Sequence, residues 1–143
     1  MACDCTDRQA IIDILNTYAA CLDARNWSGL NNVFHPDATA DYGGPLTGRT
    51  AVVDTIRSFL GGCGPSQHLL GNYQISIDGN QAGSSTKARV LHVGAAERAS
   101  LTPYEAVGTY RDRHIRTPEG WRIIHRHFDV QISLGDMNVL QPA

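Results

Sequence analysis

The sequence predicts an α+β protein whose N-terminal helices pack on one face of a curved, mainly antiparallel sheet. Two observations lead to this prediction: apolar residues recur at helical spacing in the first part of the chain, and they alternate with polar residues in the rest. Helices followed by a run of antiparallel strands are typical of the α+β class. No internal repeat or linker divides the 143 residues, so we predict a single domain over residues 1–143.

The first helix is predicted to begin at a capping box formed by Thr6 and Gln9. Apolar residues three and four positions apart then form one stripe: Ile11, Leu15, Tyr18 and Leu22. Asp23 follows at the edge of this stripe, and neither residue 19 nor residue 27 is a basic partner for it. Asp23 is therefore either a solvated helix-end residue or a carboxylate at the lip of a pocket, paired with a distant side chain.

The remaining elements follow from turn and helix-end signals. The helical part continues with a short helix, a short strand and a third helix: residues 27–33, residues 38–42, and from Thr50 to the Gly61-Gly62 pair. Four longer strands follow at residues 68–77, 86–94, 104–115 and 121–134. Turns at residues 78–80 and 117–120 join strands in two hairpins.

Composition excludes several classes of function. A net charge of −2 without any Lys/Arg run leaves no electrostatic footprint for nucleic acid. No apolar run approaches the ~20 residues needed to span a bilayer, and the N-terminus lacks the apolar region of a secretory signal. We therefore expect a cytoplasmic protein without a membrane or nucleic-acid partner. The sequence also contains no GxGxxG, P-loop or HExxH motif, so no cofactor is expected.

The four cysteines do not predict a metal site. Cys3, Cys5, Cys21 and Cys63 lack paired CxxC spacing and a matching histidine pattern. The Cys3-x-Cys5 pair could bind a soft metal, but a frayed terminus is the preferred interpretation. We expect free thiols and no bound metal.

The histidines divide into two groups. Four stand among polar or charged neighbours and are expected to face solvent: His35, His114, His125 and His127. His68 opens an apolar strand, and His92 alternates in register with Ala88 and Val90, which places it on their inward face. A strand histidine of this kind is either a hydrogen-bonded core residue or a catalytic base, and the spacing alone does not separate the two.

The resemblance to a known family rests on five segments: residues 11–27, 30–44, 46–56, 66–82 and 108–128. Their order resembles that in the SnoaL-like members of the nuclear transport factor 2-like (NTF2-like) superfamily. Three motifs are most specific to it: Phe34-x-Pro-Asp-Ala-Thr39, His68-x-x-x-Asn72 and Gly120-Trp-Arg-Ile123. The resemblance extends from residue 9 to about residue 128 and implies a cone-shaped half-barrel. This superfamily includes dehydratases, isomerases, cyclases, dioxygenase small subunits and non-catalytic binding proteins.

The polar residues are most similar to those of scytalone dehydratase, bile-acid 7α-dehydratase and hexachlorocyclohexane dehydrochlorinase. These enzymes use an aspartate near the end of the first helix with a histidine on a later strand, which the resemblance carries to Asp23 and His68. It further implies that Tyr18 and Tyr42 are active-site tyrosines and that His92 is a second histidine. Each tyrosine could equally serve packing.

The resemblance implies a cofactor-independent, dehydratase-type lyase that acts on a small hydrophobic cyclic or polyketide-like hydroxy-carbonyl compound. An isomerase or cyclase using the same pocket, or a non-catalytic binding or assembly module, is the alternative. Asp41 stands near the position at which ketosteroid isomerase carries its base, so it is a second candidate base. A homodimer or homotrimer is expected by resemblance.

Overall fold

The computed structural model describes residues 4–140, which form two α-helices and one six-stranded sheet. The helices are α1 (Asp4–Asp23) and α2 (Arg49–Leu60). The strands are β1 (Phe34–Asp41), β2 (Pro45–Thr47), β3 (Ser66–Asp78), β4 (Gln81–His92), β5 (Tyr104–Thr117) and β6 (Gly120–Leu134). Short 3-10 helices lie at Ser28–Asn32, Ala96–Ser100 and Met137–Val139.

The strand order in the sheet is β2-β1-β6-β5-β4-β3, and every neighbouring pair is antiparallel except β1 with β6. The sheet remains open, with β2 and β3 as its edges. Both helices pack on one face, which we call the inner face. The predicted α+β fold with a mainly antiparallel sheet is confirmed.

The helices lie where the sequence predicts them, but α1 begins earlier than predicted. α2 ends at Leu60, directly before the two glycines, and the predicted second helix is a 3-10 helix. The capping box is wrong as a helix start, because α1 already includes Asp4 and Thr6 lies within its first turn. Among the helices of residues 4–140, none has both the length and the apolar character that crossing a membrane requires.

The strand boundaries differ from the predicted ones where pairing with neighbouring strands overrides the local strand preference of the residues. β1 begins at Phe34 instead of residue 38, and a register shift between Phe34 and Thr39 accommodates Pro36, which has no N–H to pair. The three-residue strand β2 was not predicted, because its signal is too short. β4 begins at Gln81 instead of residue 86. The weak strand formers at 83–85 are held there by pairing with both β3 and β5.

The core lies between the helices and the inner face. The predicted α1 stripe is confirmed, since all four of its residues are at most 2% exposed. At the start of α1, the Asp7 carboxylate accepts two hydrogen bonds of 2.8 Å from Arg116 and one of 3.1 Å from the Trp121 indole. The Arg116 hydrogen bonds hold the pKa of Asp7 below its usual value. This cluster ties α1 to β5 and β6.

The prediction that His114 faces solvent is wrong. It is 1% exposed, and its Nε2 lies 2.8 Å from the Ser84 hydroxyl. Burial lowers the pKa of His114 to about 4, so the ring is neutral near pH 7. Its charged neighbour Arg113 points to the opposite face of the sheet, because successive strand residues alternate. The other three histidines of that group are only partly exposed: His35, His125 and His127.

Candidate active site

A cavity of about 310 Å³ lies between the two helices and the inner face of the sheet. Its wall is mainly apolar, with contributions from Leu22 of α1, Ile56 of α2 and Phe128 of β6. The polar side chains in the wall are Tyr18, Tyr42, His68, His92, Tyr104 and Tyr110. An apolar cavity with a few convergent polar groups is the usual form of a small-molecule site.

The structure brings Asp23 and His68 together, although 45 positions separate them in the chain. Asp23 Oδ1 lies 2.6 Å from His68 Nδ1, and Asp23 Oδ2 accepts the His68 backbone N–H at 2.9 Å. The His68 side chain is 3% exposed and that of Asp23 is 27% exposed. Because an aspartate oxygen accepts at Nδ1, the proton of neutral His68 resides there and Nε2 is free.

Hydrogen bonds keep the Asp23 carboxylate charged. Burial acts to raise the pKa of Asp23, but the hydrogen bonds from the His68 ring and backbone and from the Ser66 hydroxyl outweigh it. The pKa of Asp23 is therefore held below its usual value. A charged carboxylate at Nδ1 can orient the imidazole and stabilise its protonated form.

His92 lies beside His68, with 6.1 Å between the ring centroids. Its Nδ1 lies 3.0 Å from the Tyr104 carbonyl oxygen, to which the N–H donates, and its ring stacks on the Tyr104 ring at 5.6 Å. Burial lowers the pKa of His92 to about 4. His92 is thus neutral near pH 7, and its Nε2 is a hydrogen-bond acceptor. The inward orientation predicted for His92 is confirmed.

Three tyrosines lie together in the cavity wall: Tyr18, Tyr42 and Tyr110. The Tyr18 and Tyr42 hydroxyl oxygens are 2.9 Å apart, and the Tyr110 ring packs edge-on against the Tyr18 ring with 5.6 Å between their centroids. Burial raises the pKa of both Tyr42 and Tyr110 well above the usual value, so these hydroxyls stay protonated. The Tyr18 and Tyr42 hydroxyls share one hydrogen bond, which leaves one of their two hydroxyl hydrogens for a ligand.

Sequence reasoning missed the buried ion pair of Arg126 and Asp112 next to these tyrosines. Arg126 Nε and Nη2 donate to the two carboxylate oxygens of Asp112 at 2.7 and 2.8 Å, and both side chains are fully buried. The guanidinium carbon lies 4.2 Å from the Tyr18 ring centroid and 4.0 Å from that of Tyr110. Burial opposes the charge, but Asp112 outweighs it and keeps the pKa of Arg126 above its usual value. A permanent positive charge therefore lies behind the tyrosines.

A second missed group lies where α1 ends. The Asn26 N–H donates to the Cys21 carbonyl and the Arg25 N–H to the Leu22 carbonyl, which is the pattern of a Schellman motif. Arg25 occupies the left-handed position of this motif, with φ of 57°. A non-glycine residue in this conformation costs on the order of 1–3 kcal/mol. In this conformation the Arg25 guanidinium lies 2.8 Å from Ser66 Oγ.

Asp41, the second candidate base, does not line the cavity. Its carboxylate accepts the Gly43 N–H at 2.9 Å and lies 3.7 Å from His127 Nδ1. Its neighbours Ala40 and Tyr42 face inward, so Asp41 points away from the cavity. Of the two candidate bases, His68 lines the cavity and Asp41 does not.

Within residues 4–140, no group of three or more His, Cys, Asp or Glu side chains is arranged to bind a metal ion. Cys3 lies outside the described residues. Cys5 is exposed, whereas Cys21 is buried and Cys63 is partly buried. The thiols of these three described cysteines are free.

The chain has an NTF2-like fold. Its cavity is apolar and contains a small number of polar side chains. Residues 4–127 match the SnoaL-like domain family, and the chain belongs to it. It is 34% identical over 125 residues to the uncharacterised protein Rv2910c of Mycobacterium tuberculosis, a match that spans 85% of this chain and 83% of the relative.

Solved structures share the fold over most of their length. Kfla4162 of Kribbella flavida superposes with a TM-score of 0.87 at 22% identity, covering 94% of this chain and 96% of that chain. A candidate scytalone dehydratase of Novosphingobium aromaticivorans has a TM-score of 0.81 at 19% identity, with 93% and 89% covered. A type 2 hexachlorocyclohexane dehydrochlorinase (LinA) has a TM-score of 0.80 at 14% identity, with 92% and 89% covered. At these identities the likeness shows the fold alone.

Proposed function

We propose that the protein is a cofactor-independent, dehydratase-type lyase that acts on a small, neutral, hydrophobic cyclic or polyketide-like hydroxy-carbonyl compound. The observation that supports this most strongly is the contact of 2.6 Å between Asp23 and His68, whose side chain lines the apolar cavity. Structural neighbours named as a dehydrochlorinase and a candidate dehydratase add support, because both names describe eliminations.

In this mechanism His68 is the general base. Its free Nε2 takes a proton from the carbon next to the substrate carbonyl, and Asp23 stabilises the imidazolium that forms. General base catalysis of this kind contributes typically about 10²–10⁴-fold to the rate. The step leaves an enolate, whose oxygen carries the developing negative charge.

The tyrosines would stabilise that enolate oxygen. Tyr18 and Tyr42 share one hydrogen bond, and a hydroxyl hydrogen of the group remains to donate to the carbonyl oxygen. Their neighbour Arg126 supplies a buried positive charge that favours the same anion.

Loss of water completes the reaction. The C–O bond breaks as the C=C bond forms, and the departing hydroxide takes the proton that His68 acquired, so the base returns to its neutral form. His92 could in principle protonate the leaving hydroxyl, but it is poorly suited to this, because its Nδ1–H already donates to the Tyr104 carbonyl and its pKa is lowered to about 4. Its Nε2 would accept a hydrogen bond from the substrate hydroxyl and orient it.

Isomerisation or intramolecular cyclisation would begin with the same proton abstraction, and a binding module would need only the cavity. An absorbance assay tests the lyase against a binding module. Incubated with neutral cyclic β-hydroxy ketones, the protein is expected to form conjugated enones. Saturable binding across the set without any product would contradict the lyase and favour a binding module.

Replacing Tyr42 with phenylalanine is expected to lower the rate by about 10–10³-fold, because one donor to the developing oxyanion is removed. The fold should not change, since only the hydroxyl that contacts Tyr18 is lost. Steady-state kinetics would measure the effect. Tyr73→Phe is the matched control, because Tyr73 does not line the cavity, and it should leave the rate unchanged. Equal rates for both variants would exclude Tyr42 from the reaction.

A homodimer or homotrimer is the expected assembly, and SnoaL-like domains are often oligomeric. The outer face of the sheet carries exposed apolar side chains that self-association would cover: Leu69, Leu91, Ile132 and Leu134. Light scattering after size exclusion should give two or three times the chain mass of 15.5 kDa. A mass of one chain would contradict the expectation. The cytoplasmic location inferred from the sequence stays a prediction.

A further inference from the structure

A second layer of hydrogen bonds lies behind the Asp23 carboxylate. Arg25 Nη1 donates to Ser66 Oγ at 2.8 Å, and Ser66 Oγ donates to Asp23 Oδ1 at 3.0 Å. Because a guanidinium can only donate, the Ser66 oxygen must accept from Arg25, and its single hydrogen is then directed at Asp23. The chain of bonds from Arg25 through Ser66 to Asp23 therefore has one possible polarity.

The Arg25 side chain is held rigidly in this place. Besides Ser66, it donates to the Leu22 carbonyl at 2.7 Å and to the Gly64 carbonyl at 2.6 Å. The first of these carbonyls belongs to the end of α1 and the second to the loop before β3. Arg25 thus links the two elements that carry Asp23 and His68.

The backbone conformation of Arg25 indicates that its side chain has a role besides ending the helix. The left-handed position of a Schellman motif favours glycine, whereas here an arginine occupies it with φ of 57°. Glycine would form the same turn without the strain. The guanidinium contacts are what glycine would lack.

We propose that Arg25 and Ser66 are positioning residues that hold the Asp23 carboxylate in line with His68 Nδ1. They thereby keep the His68 proton on Nδ1 and direct the bare Nε2 to the cavity. A role in turnover rests on the proposed lyase function, whereas the effect on the His68 tautomer does not. A purely structural role, such as capping α1, is the competing explanation.

Arg25→Gly separates the two explanations, because it relieves the backbone strain while it removes the guanidinium. Ser66→Ala removes the hydroxyl that links Arg25 to Asp23. Both variants are expected to fold, which their circular dichroism and thermal unfolding would verify. Matched controls are Ala96→Gly, at another left-handed position with φ of 52°, and Ser58→Ala, at an exposed hydroxyl of α2.

The first readout is the ¹⁵N NMR spectrum of the His68 ring, which distinguishes the Nδ1–H tautomer from the Nε2–H tautomer. We expect the wild type and both controls to show the Nδ1–H form with a downfield, slowly exchanging proton. Arg25→Gly and Ser66→Ala should show a mixture of tautomers and a weakened or lost downfield signal. An unchanged His68 spectrum in both variants would overturn the inference, whatever the activity.

The second readout is kinetic. If the wild type turns over a hydroxy ketone, kcat of Arg25→Gly and Ser66→Ala should fall by about 10–10²-fold, as expected for a displaced catalytic group, while KM changes little. Ser66→Thr, which retains a hydroxyl, should recover most of kcat. Full kcat in the two variants would overturn the catalytic part of the inference. If the wild type has no turnover, the lyase proposal fails on its own and the His68 spectrum alone decides the positioning role.

Discussion

Replacing His68 with alanine is expected to remove nearly all turnover while the fold remains intact. The side chain is the proposed base, and its loss removes a contribution of about 10²–10⁴-fold. Asp23→Asn should cost a comparable factor, because the amide can still contact Nδ1 at 2.6 Å but cannot stabilise an imidazolium. Initial rates with the same hydroxy ketone, together with circular dichroism, would measure both effects.

Two controls make this result specific. Asp41→Asn and His125→Ala change polar residues that do not line the cavity, and both variants should keep their activity. If His68→Ala instead kept most of its activity and Asp41→Asn lost it, the base would be Asp41. An isomerase-like mechanism would then replace the elimination.

Replacing Asp112 with alanine is expected to lower the free energy of unfolding by about 3–5 kcal/mol. The substitution leaves the Arg126 charge buried without its partner, and uncompensated buried charges are among the most destabilising changes known. Urea unfolding would measure the loss. Because Arg126 lies over the rings of Tyr18 and Tyr110, the cavity wall should also become less ordered.

The double variant Asp112→Leu/Arg126→Met tests whether stability returns when both charges are removed. Apolar replacement of a whole buried ion pair is often neutral or stabilising, so most of the stability should return. Glu105→Ala serves as a surface control, since its partner Arg89 is 66% exposed and such pairs contribute about 0–1 kcal/mol. A loss below about 1 kcal/mol for Asp112→Ala would contradict the assignment of Arg126 as a buried, paired charge.

Local periodicity was sufficient to predict the helices and most of the sheet. The stripe on α1 and the alternation around His92 identified buried faces correctly, because each depends only on the spacing of neighbouring residues. Whether Asp23 is solvated or paired could not be decided in this way. Its partner His68 lies 45 positions away, and only the resemblance to a family linked the two.

The buried pair of Arg126 and Asp112 was hidden by a register shift. Thr117 pairs with Gly120, so a regular hairpin would place residue 125 opposite Asp112. A shift between Arg113 and His114 moves the partner by one residue, and Arg126 faces inward instead of His125. Sequence gives no reliable sign of such a shift.

The left-handed conformation of Arg25 was also not predictable. Its sequence neighbourhood lacks the glycine that usually marks this position of a helix end, and its acceptors on Gly64 and Ser66 lie about 40 residues away. Contacts of this range exist only once α1 and β3 are packed together.

The proposed mechanism requires that His68 removes a proton next to a carbonyl group inside this cavity. Deuterium exchange tests that step alone, with a neutral cyclic ketone that lacks the β-hydroxyl and so cannot lose water. In deuterated buffer, NMR should show that the wild type exchanges the α-protons of this ketone much faster than His68→Ala does, while Asp41→Asn behaves as the wild type. Equal exchange rates for the wild type and His68→Ala would contradict the role of His68 as the base.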